Sequence, residues 1–211
     1  MFRYAISLFL KFLKVLRHYT LRPFDQLITN LIFYLNGVNF TKIISYGIPY
    51  INISLKGKMK IGNHFVMNNR KYANMLGRTQ SCSFSILPNA ELIIGNNVGL
   101  SSTAIVCYNK IEIGNNVKIG ANVVIYDTDF HSINPLDRLH QKKDKENTSI
   151  KPVRIEDNVF INAHSTILKG VVIGENSIIG ACSVVTKSIP KNEIWAGNLA
   201  KFIKKLELSK H

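Results

Sequence analysis

Near the C-terminal end of the chain, aliphatic residues recur every six positions: Ile155, Ile161, Ile167, Ile173, Ile179 and Val185. Four residues further on, small or β-branched residues repeat the interval at Val159, Ser165, Val171, Ser177 and Ser183. Neither a helix (about 3.6 residues per turn) nor a strand (a repeat of about 2) produces such spacing. A chain that turns a corner every six residues does, because one residue per face then points inward. Ile113, Ile119 and Ile125 continue the pattern with Val117 and Val123. Ile94, Leu100 and Val106 form an earlier set with Val98 and Ala104, and one extra residue falls between Val106 and Ile113. Asn97, Asn116, Asn122, Asn158 and Asn176 mark corners, since Asn tolerates left-handed backbone. Asn158 and Asn176 are 18 residues apart, one three-cornered coil. Ile155 is therefore expected to stack on Ile173, Ile161 on Ile179, and Ile167 on Val185, each coil covering the one below.

Around that solenoid the pattern changes. Residues 2–19 read as a basic amphipathic helix, with Phe2, Ile6, Phe9, Leu13 and Leu16 on one face and Arg3, Lys11 and Lys14 on another. Pro23 breaks it, and a second helix is expected over Phe24–Leu35. Residues 51–68 read as a first, irregular coil cornered at Ile61-Gly62-Asn63, and 69–80 as a polar loop. Coils run to Tyr126, break over a long insertion at 127–151, and resume at Pro152. After Pro190 the repeat ends, and Leu199–Leu208 reads as a short basic helix capping the open end. The organisation expected is a helical extension over 1–50, a solenoid over 51–198 and a helical tail over 199–211.

Composition narrows the partners. The formal net charge is +14, and residues 1–60 hold nine Lys/Arg against Asp25 alone. Such a balance favours an anionic partner, but no nucleic-acid module or aromatic-interleaved basic stretch is present. Two readings of residues 2–19 stay open: the helix lies on a membrane surface, or it packs on the solenoid or a neighbouring subunit. Lys11 and Lys14 argue against a signal peptide. No apolar run reaches spanning length. Three cysteines, Cys82, Cys107 and Cys182, form no even framework, which points to a reducing, cytoplasmic setting.

The segment from Ile155 to Ile203, with its IG-A-x-S-V-V-T-K-x-I-P element at Ile179–Pro190, resembles hexapeptide-repeat acyltransferases. The similarity is to galactoside, maltose and xenobiotic acetyltransferases and to those of colanic acid and capsule biosynthesis. DTDFHSINPLDR, at Asp127–Arg138, is similar to that family's histidine loop. The resemblance covers roughly residues 51–205. It implies an all-β solenoid, a left-handed parallel β-helix, assembled as a homotrimer with sites in the clefts between subunits. It also implies direct acetyl transfer from acetyl-CoA, without a metal, to an acceptor hydroxyl or amine.

His131 matches the family's base, and a histidine near its unperturbed pKa of about 6.5 suits proton removal from a sugar hydroxyl. Its second nitrogen needs an acceptor; Asp129, Asp127 and a backbone carbonyl all remain open. Backbone N–H groups near Asn162 and Ala163 occupy the region of an oxyanion site. Phe160 stands where galactoside acetyltransferases carry Trp. Ser101 and Asp129 fall on the acceptor side. Ala181, Thr186 and Lys187 match positions that contact pantetheine or pyrophosphate in relatives, and Lys201 matches a basic residue near the nucleotide. The turn before it reads Gly197-Asn198-Leu199-Ala200, with Leu for the usual Pro. Cys107 and Cys182 fall inside coils and are expected to pack. The function implied is O-acetylation of a sugar, lipid-linked or free, during cell-surface polysaccharide assembly. N-acetylation of an amino sugar or xenobiotic is the alternative. The spacing of His131, His140 and His164 does not match the metal-ligand set of a β-helix carbonic anhydrase.

Overall fold

In the computed structural model, residues 2–70, 76 and 80–207 are described. From residue 43 the chain winds round a three-sided prism, each side a parallel sheet. The first face holds, in order, Ile43–Tyr46, Phe65–Asn68, Gly99–Ser101, Lys118–Ile119, Phe160–Ile161, Ile178–Ile179 and Glu193–Ala196, closed by Lys201–Lys205. The second holds Tyr50–Ile53, Ser83–Ile86, Ala104–Cys107, Val124–Tyr126, Thr166–Ile167 and Val184–Val185. The third holds Lys58–Ile61, Glu91–Ile94, Lys110–Ile113, Val153–Ile155 and Val172–Ile173. This is the parallel β-helix expected from the six-residue spacing, left-handed as the family resemblance implies.

The three predicted stacks are in register: Ile155 on Ile173, Ile161 on Ile179 and Ile167 on Val185. All six side chains are buried, as are Val159, Ser165, Val171, Ser177 and Ser183. A buried aliphatic side chain contributes roughly 1.5–3 kcal/mol, so each coil is held mainly by its inward aliphatics. Asn97, Asn116, Asn122, Asn158 and Asn176 all have φ between 57° and 61°. The amides of Asn97, Asn116, Asn158 and Asn176 form a ladder along one corner, with Asn116 to Asn158 at 3.1 Å and Asn158 to Asn176 at 3.0 Å.

One early coil differs from the reading. Val106 and Ala104 are only half-buried, while Ile105, Cys107 and Thr103 point inward. The corner before Ile105 is a residue short, and the one after it carries the surplus at Tyr108-Asn109. Cys107 packs as expected. Cys182 does not: it is exposed at a corner with φ +57°, a conformation that favours Gly.

Both ends also differ. A single helix, Phe2–Leu35, runs through Pro23. Proline removes one backbone donor, and contacts beyond it hold the helix in place. Asp25 accepts the backbone N–H of Gly47 at 2.8 Å and Arg70 Nε at 2.7 Å, while Thr29 and Phe33 are buried. The first coil begins before residue 51, with Ile43–Tyr46 pairing on Phe65–Asn68. The expected C-terminal helix is a strand instead: Lys201–Lys205 folds back antiparallel on Glu193–Ala196. The hairpin pairs the last strand edge of the first face, the same task a capping helix would perform. Position 208, the end of the expected helix, and most of the polar stretch 69–80 lie outside the described residues.

Candidate active site

The insertion leaves the prism at the edge between the second and third faces. Asp127, fully buried, accepts backbone N–H groups of Tyr108 (2.7 Å), Asn109 (2.7 Å) and Lys110 (2.9 Å). One carboxylate thereby holds the surplus corner of the preceding coil and the root of the insertion together. The two ends of the insertion are clasped by a Thr128–Ile150 bridge and by Lys151 N–H donating to Asp127 O at 2.9 Å. Phe130, at φ +64°, packs against Tyr126 and Tyr108, with ring centroids 5.3 and 6.0 Å away. The next residue, His131, is turned outward, its side chain 69% exposed.

The insertion is not a structureless loop. A 3-10 turn, Asp137–Leu139, leads into a short helix, Gln141–Glu146, which brings Asp144 back to the histidine. Asp144 Oδ2 lies 2.7 Å from His131 Nδ1, and its Oδ1 accepts the Ser132 N–H at 2.7 Å. Ser132 is fixed from two further sides: its hydroxyl donates to Asp137 at 2.9 Å, and Arg138 Nη1 donates to its carbonyl at 2.6 Å. The hydrogen bond from His131, then that from Ser132, holds the Asp144 carboxyl below the usual carboxylate range. An ionised carboxylate can only accept, so Nδ1 carries the proton and Nε2 is left free to take one.

Neither Asp129 nor Asp127 nor a backbone carbonyl is therefore the partner of His131. Asp127 is occupied by three backbone donors, and Asp129 pairs with Lys169 at 2.7 Å. The run Gln141–Asn147, free of Gly and Pro, is the sequence signal that could have placed a carboxylate-bearing helix here.

Thr186 and Lys187 are exposed on the same edge as the insertion, following the second-face strand Val184–Val185. The remaining expected residues sit elsewhere. Ser101, Phe160, Asn68, Lys118 and Gly120 line a groove of about 240 Å³ on the first face. Ser101 Oγ accepts from Asn68 Nδ2 at 3.1 Å, and Phe160 is 40% exposed. Ala163 and Ala181 stack at the edge between the first and second faces, with Cys182 N–H donating to Ala163 O at 2.9 Å. The Asn162 N–H is spent on Ile179 O at 2.9 Å, whereas no acceptor takes the Ala163 N–H among the described residues. Lys201 is exposed on the closing hairpin opposite Ala196. Its turn forms without proline, because Gly197 N–H donates to Ser183 Oγ at 3.0 Å and Ala200 N–H to Val184 O at 2.9 Å.

The expected residues thus fall into two groups on different sides of the prism, and no hydrogen bond or ion pair joins them among the described residues. A larger hollow of about 490 Å³ on the third face lies among Glu112, Arg154, Glu156, Asp157 and Glu175. It contains none of the expected residues, and Asp157 there is taken up by the backbone N–H of Asn115 at 2.8 Å.

Fold and site define a hexapeptide solenoid with a histidine-bearing insertion. Residues 152–187 match the family described as bacterial transferase hexapeptide (six repeats). A galactoside O-acetyltransferase from Lactococcus lactis subsp. lactis is 34% identical over 71% of this chain and 65% of its own length. A maltose O-acetyltransferase from Clostridium difficile 630 shares the fold with TM-score 0.56 and 25% identity, over 91% of this chain and 89% of that one. A hexapeptide-repeat acetyltransferase from Vibrio cholerae O1 biovar eltor, complexed with acetyl-CoA, shares it with TM-score 0.52 and 23% identity, over 68% and 71%. The chain spans between 38% and 65% of the length of the curated relatives it matches. The match to that family covers the last regular coils of the solenoid.

Proposed function

We propose that the protein is an acetyl-CoA-dependent O-acetyltransferase acting on a sugar hydroxyl, with His131 as base and Asp144 as its positioning residue. The observation that carries this reading is the His131–Asp144 contact at 2.7 Å, raised on an insertion above a hexapeptide solenoid. Relatives named galactoside and maltose O-acetyltransferases support the sugar hydroxyl as acceptor and the acetyl group as cargo.

The chemistry balances without a covalent enzyme intermediate. The acceptor oxygen attacks the thioester carbonyl carbon as its proton passes to His131 Nε2. The tetrahedral oxyanion needs a donor already aimed at it, and the Ala163 N–H, which meets no acceptor among the described residues, is available for that task. Collapse breaks the C–S bond, and the imidazolium returns the proton to the departing thiolate. The imidazolium is stabilised by Asp144, whose carboxylate faces Nδ1.

Because His131 and Thr186 lie on one edge and Phe160, Ala163 and Ala181 on another, a complete site needs two copies. This supports a homotrimer with each cleft shared between neighbours, the acetyl-CoA lying against Ala163, Ala181, Thr186, Lys187 and Lys201. Asp129, paired with Lys169, and Ser101 face the acceptor side. The biological setting that fits is assembly of a cell-surface polysaccharide.

The test is thiol release from acetyl-CoA over a panel of glycosides, nucleotide sugars and glycan fragments, followed by mass analysis of the product. The expected product is an acetylated sugar whose acetyl group is lost to hydroxylamine. A hydroxylamine-stable product would mark an amide and the N-acetyl alternative. Absence of acceptor-dependent release across the panel would overturn the reading.

A further inference from the structure

The helix Phe2–Leu35 carries far more apolar surface than the solenoid covers. At about 100° per residue, Phe9, Leu13, Leu16, Phe24, Leu27 and Leu31 fall within roughly an 80° arc. All six are exposed, between 40% and 68%. The opposite side is the one that meets the solenoid. There Asp25 binds Gly47 and Arg70, Thr29 and Phe33 are buried, and the Arg22 guanidinium lies 5.2 Å from the Tyr46 ring centroid. Lys11 precedes Thr29 by five turns and shares its direction. The apolar stripe therefore faces away from the body of the protein, along a helix about 50 Å long. Exposed apolar surface on this scale marks an interaction site.

Two features decide what covers it. The first is breadth. Leu8, Leu10 and Phe12 are also exposed, widening the apolar arc over the first turns to more than half the circumference. A helix-to-helix seam between copies uses a narrow stripe, whereas a bilayer surface accepts a broad one. The second is charge. Residues 1–24 contain Arg3, Lys11, Lys14, Arg17 and Arg22 and no acidic residue. Copies meeting through this segment would bring like charges together with no carboxylate to answer them, while anionic lipid headgroups supply the counter-charge. No helix among the described residues is long and apolar enough to cross a membrane.

We infer that the N-terminal helix lies in the plane of an anionic lipid bilayer, apolar face down, and docks the solenoid on the membrane surface. The contact extends past residue 19, through Pro23 to Leu31, and stands apart from the acyl-transfer reading.

Co-sedimentation of the full chain with phosphatidylcholine vesicles, with and without phosphatidylglycerol, tests this. Binding is expected only with phosphatidylglycerol, weakening as salt rises. Phe9→Glu/Leu13→Glu, on the apolar face, is expected to abolish it. Arg3→Glu/Arg17→Glu is expected to weaken it by at least about 20-fold, from roughly five-fold per cation. That second pair leaves the apolar face intact and carries the test if the first does not fold. Equal binding to both vesicles, insensitive to salt, would overturn the electrostatic half of the inference. No vesicle binding, with Phe9→Glu/Leu13→Glu lowering the mass seen by sedimentation velocity, would assign the face to other copies and overturn it entirely.

Discussion

Replacing Asp144 with Asn keeps the size of the side chain and removes its charge. In the native insertion the two carboxylate oxygens each accept one hydrogen bond at 2.7 Å, from His131 Nδ1 and from the Ser132 N–H. An amide offers one accepting oxygen and one donating nitrogen. With the oxygen toward Ser132, the NH2 faces His131 and drives the proton from Nδ1 to Nε2, where the base is needed. With the oxygen toward His131, the Ser132 N–H loses its acceptor. The lost hydrogen bond is charge-assisted, though exposure of the histidine weakens it, and its loss alone is expected to cost about ten-fold in rate. Loss of the correct tautomer adds to it, up to the roughly 10²–10⁴-fold worth of the base itself. We expect kcat for thiol release to fall about 10- to 10³-fold, with KM for acetyl-CoA nearly unchanged because no cofactor-side residue touches Asp144. A folded Asp144→Asn variant with kcat within two-fold of wild type would refute the argument and leave Asp144 a structural anchor of the insertion.

Three further outcomes follow from the solenoid. Burial pushes the Cys82 and Cys107 thiols up to about 12, so a thiol reagent at mildly alkaline pH should label Cys182 alone until the chain is unfolded; peptide mass analysis reads it. At Gly120 an added Cβ would stand 2.6 Å from the Ala163 nitrogen, so Gly120→Ala must shift backbone, costing about 1–3 kcal/mol in urea unfolding and weakening turnover through the displaced N–H. Asp157 is held below the usual carboxylate range by the backbone and then the side-chain amide of Asn115. A depressed folded value means its contribution is present above the unfolded carboxylate range and is lost as pH falls through the folded one. Asp157→Asn should therefore be less stable than wild type at neutral pH, and in urea titrations the gap should close as pH falls below the usual carboxylate range.

What the chain made legible was whatever repeats. Ile155, Ile161 and Ile167 announce their stacking partners because each layer poses the same problem at the same interval, and the corner asparagines follow from one backbone conformation. Where the interval slips, the reading slipped with it. A corner shortened before Ile105 and lengthened after Cys107 looks, in sequence, like a single extra residue after Val106. The C-terminal strand Lys201–Lys205 was hidden because edge pairing with Glu193–Ala196 outweighs the helical spacing of its own residues. Pro23 was misleading for the converse reason: anchoring through Asp25, Thr29 and Phe33 maintains a helix that local propensity would end. His131 was recognisable from its flanking motif, but its partner was not. Asp144 arrives from 13 residues downstream through a two-turn helix, a contact that no short-range pattern encodes.

The central claim concerns the proton on the acceptor hydroxyl, and comparison of His131→Ala with wild type tests it most directly. Thiol release from acetyl-CoA would be followed with the acceptor identified by product analysis, alongside calorimetric binding of acetyl-CoA. The account predicts a fall in kcat of about 10²- to 10⁴-fold with acetyl-CoA binding retained. Acceptor-dependent release at the wild-type rate from the folded His131→Ala variant would contradict it, and the base would have to be sought elsewhere.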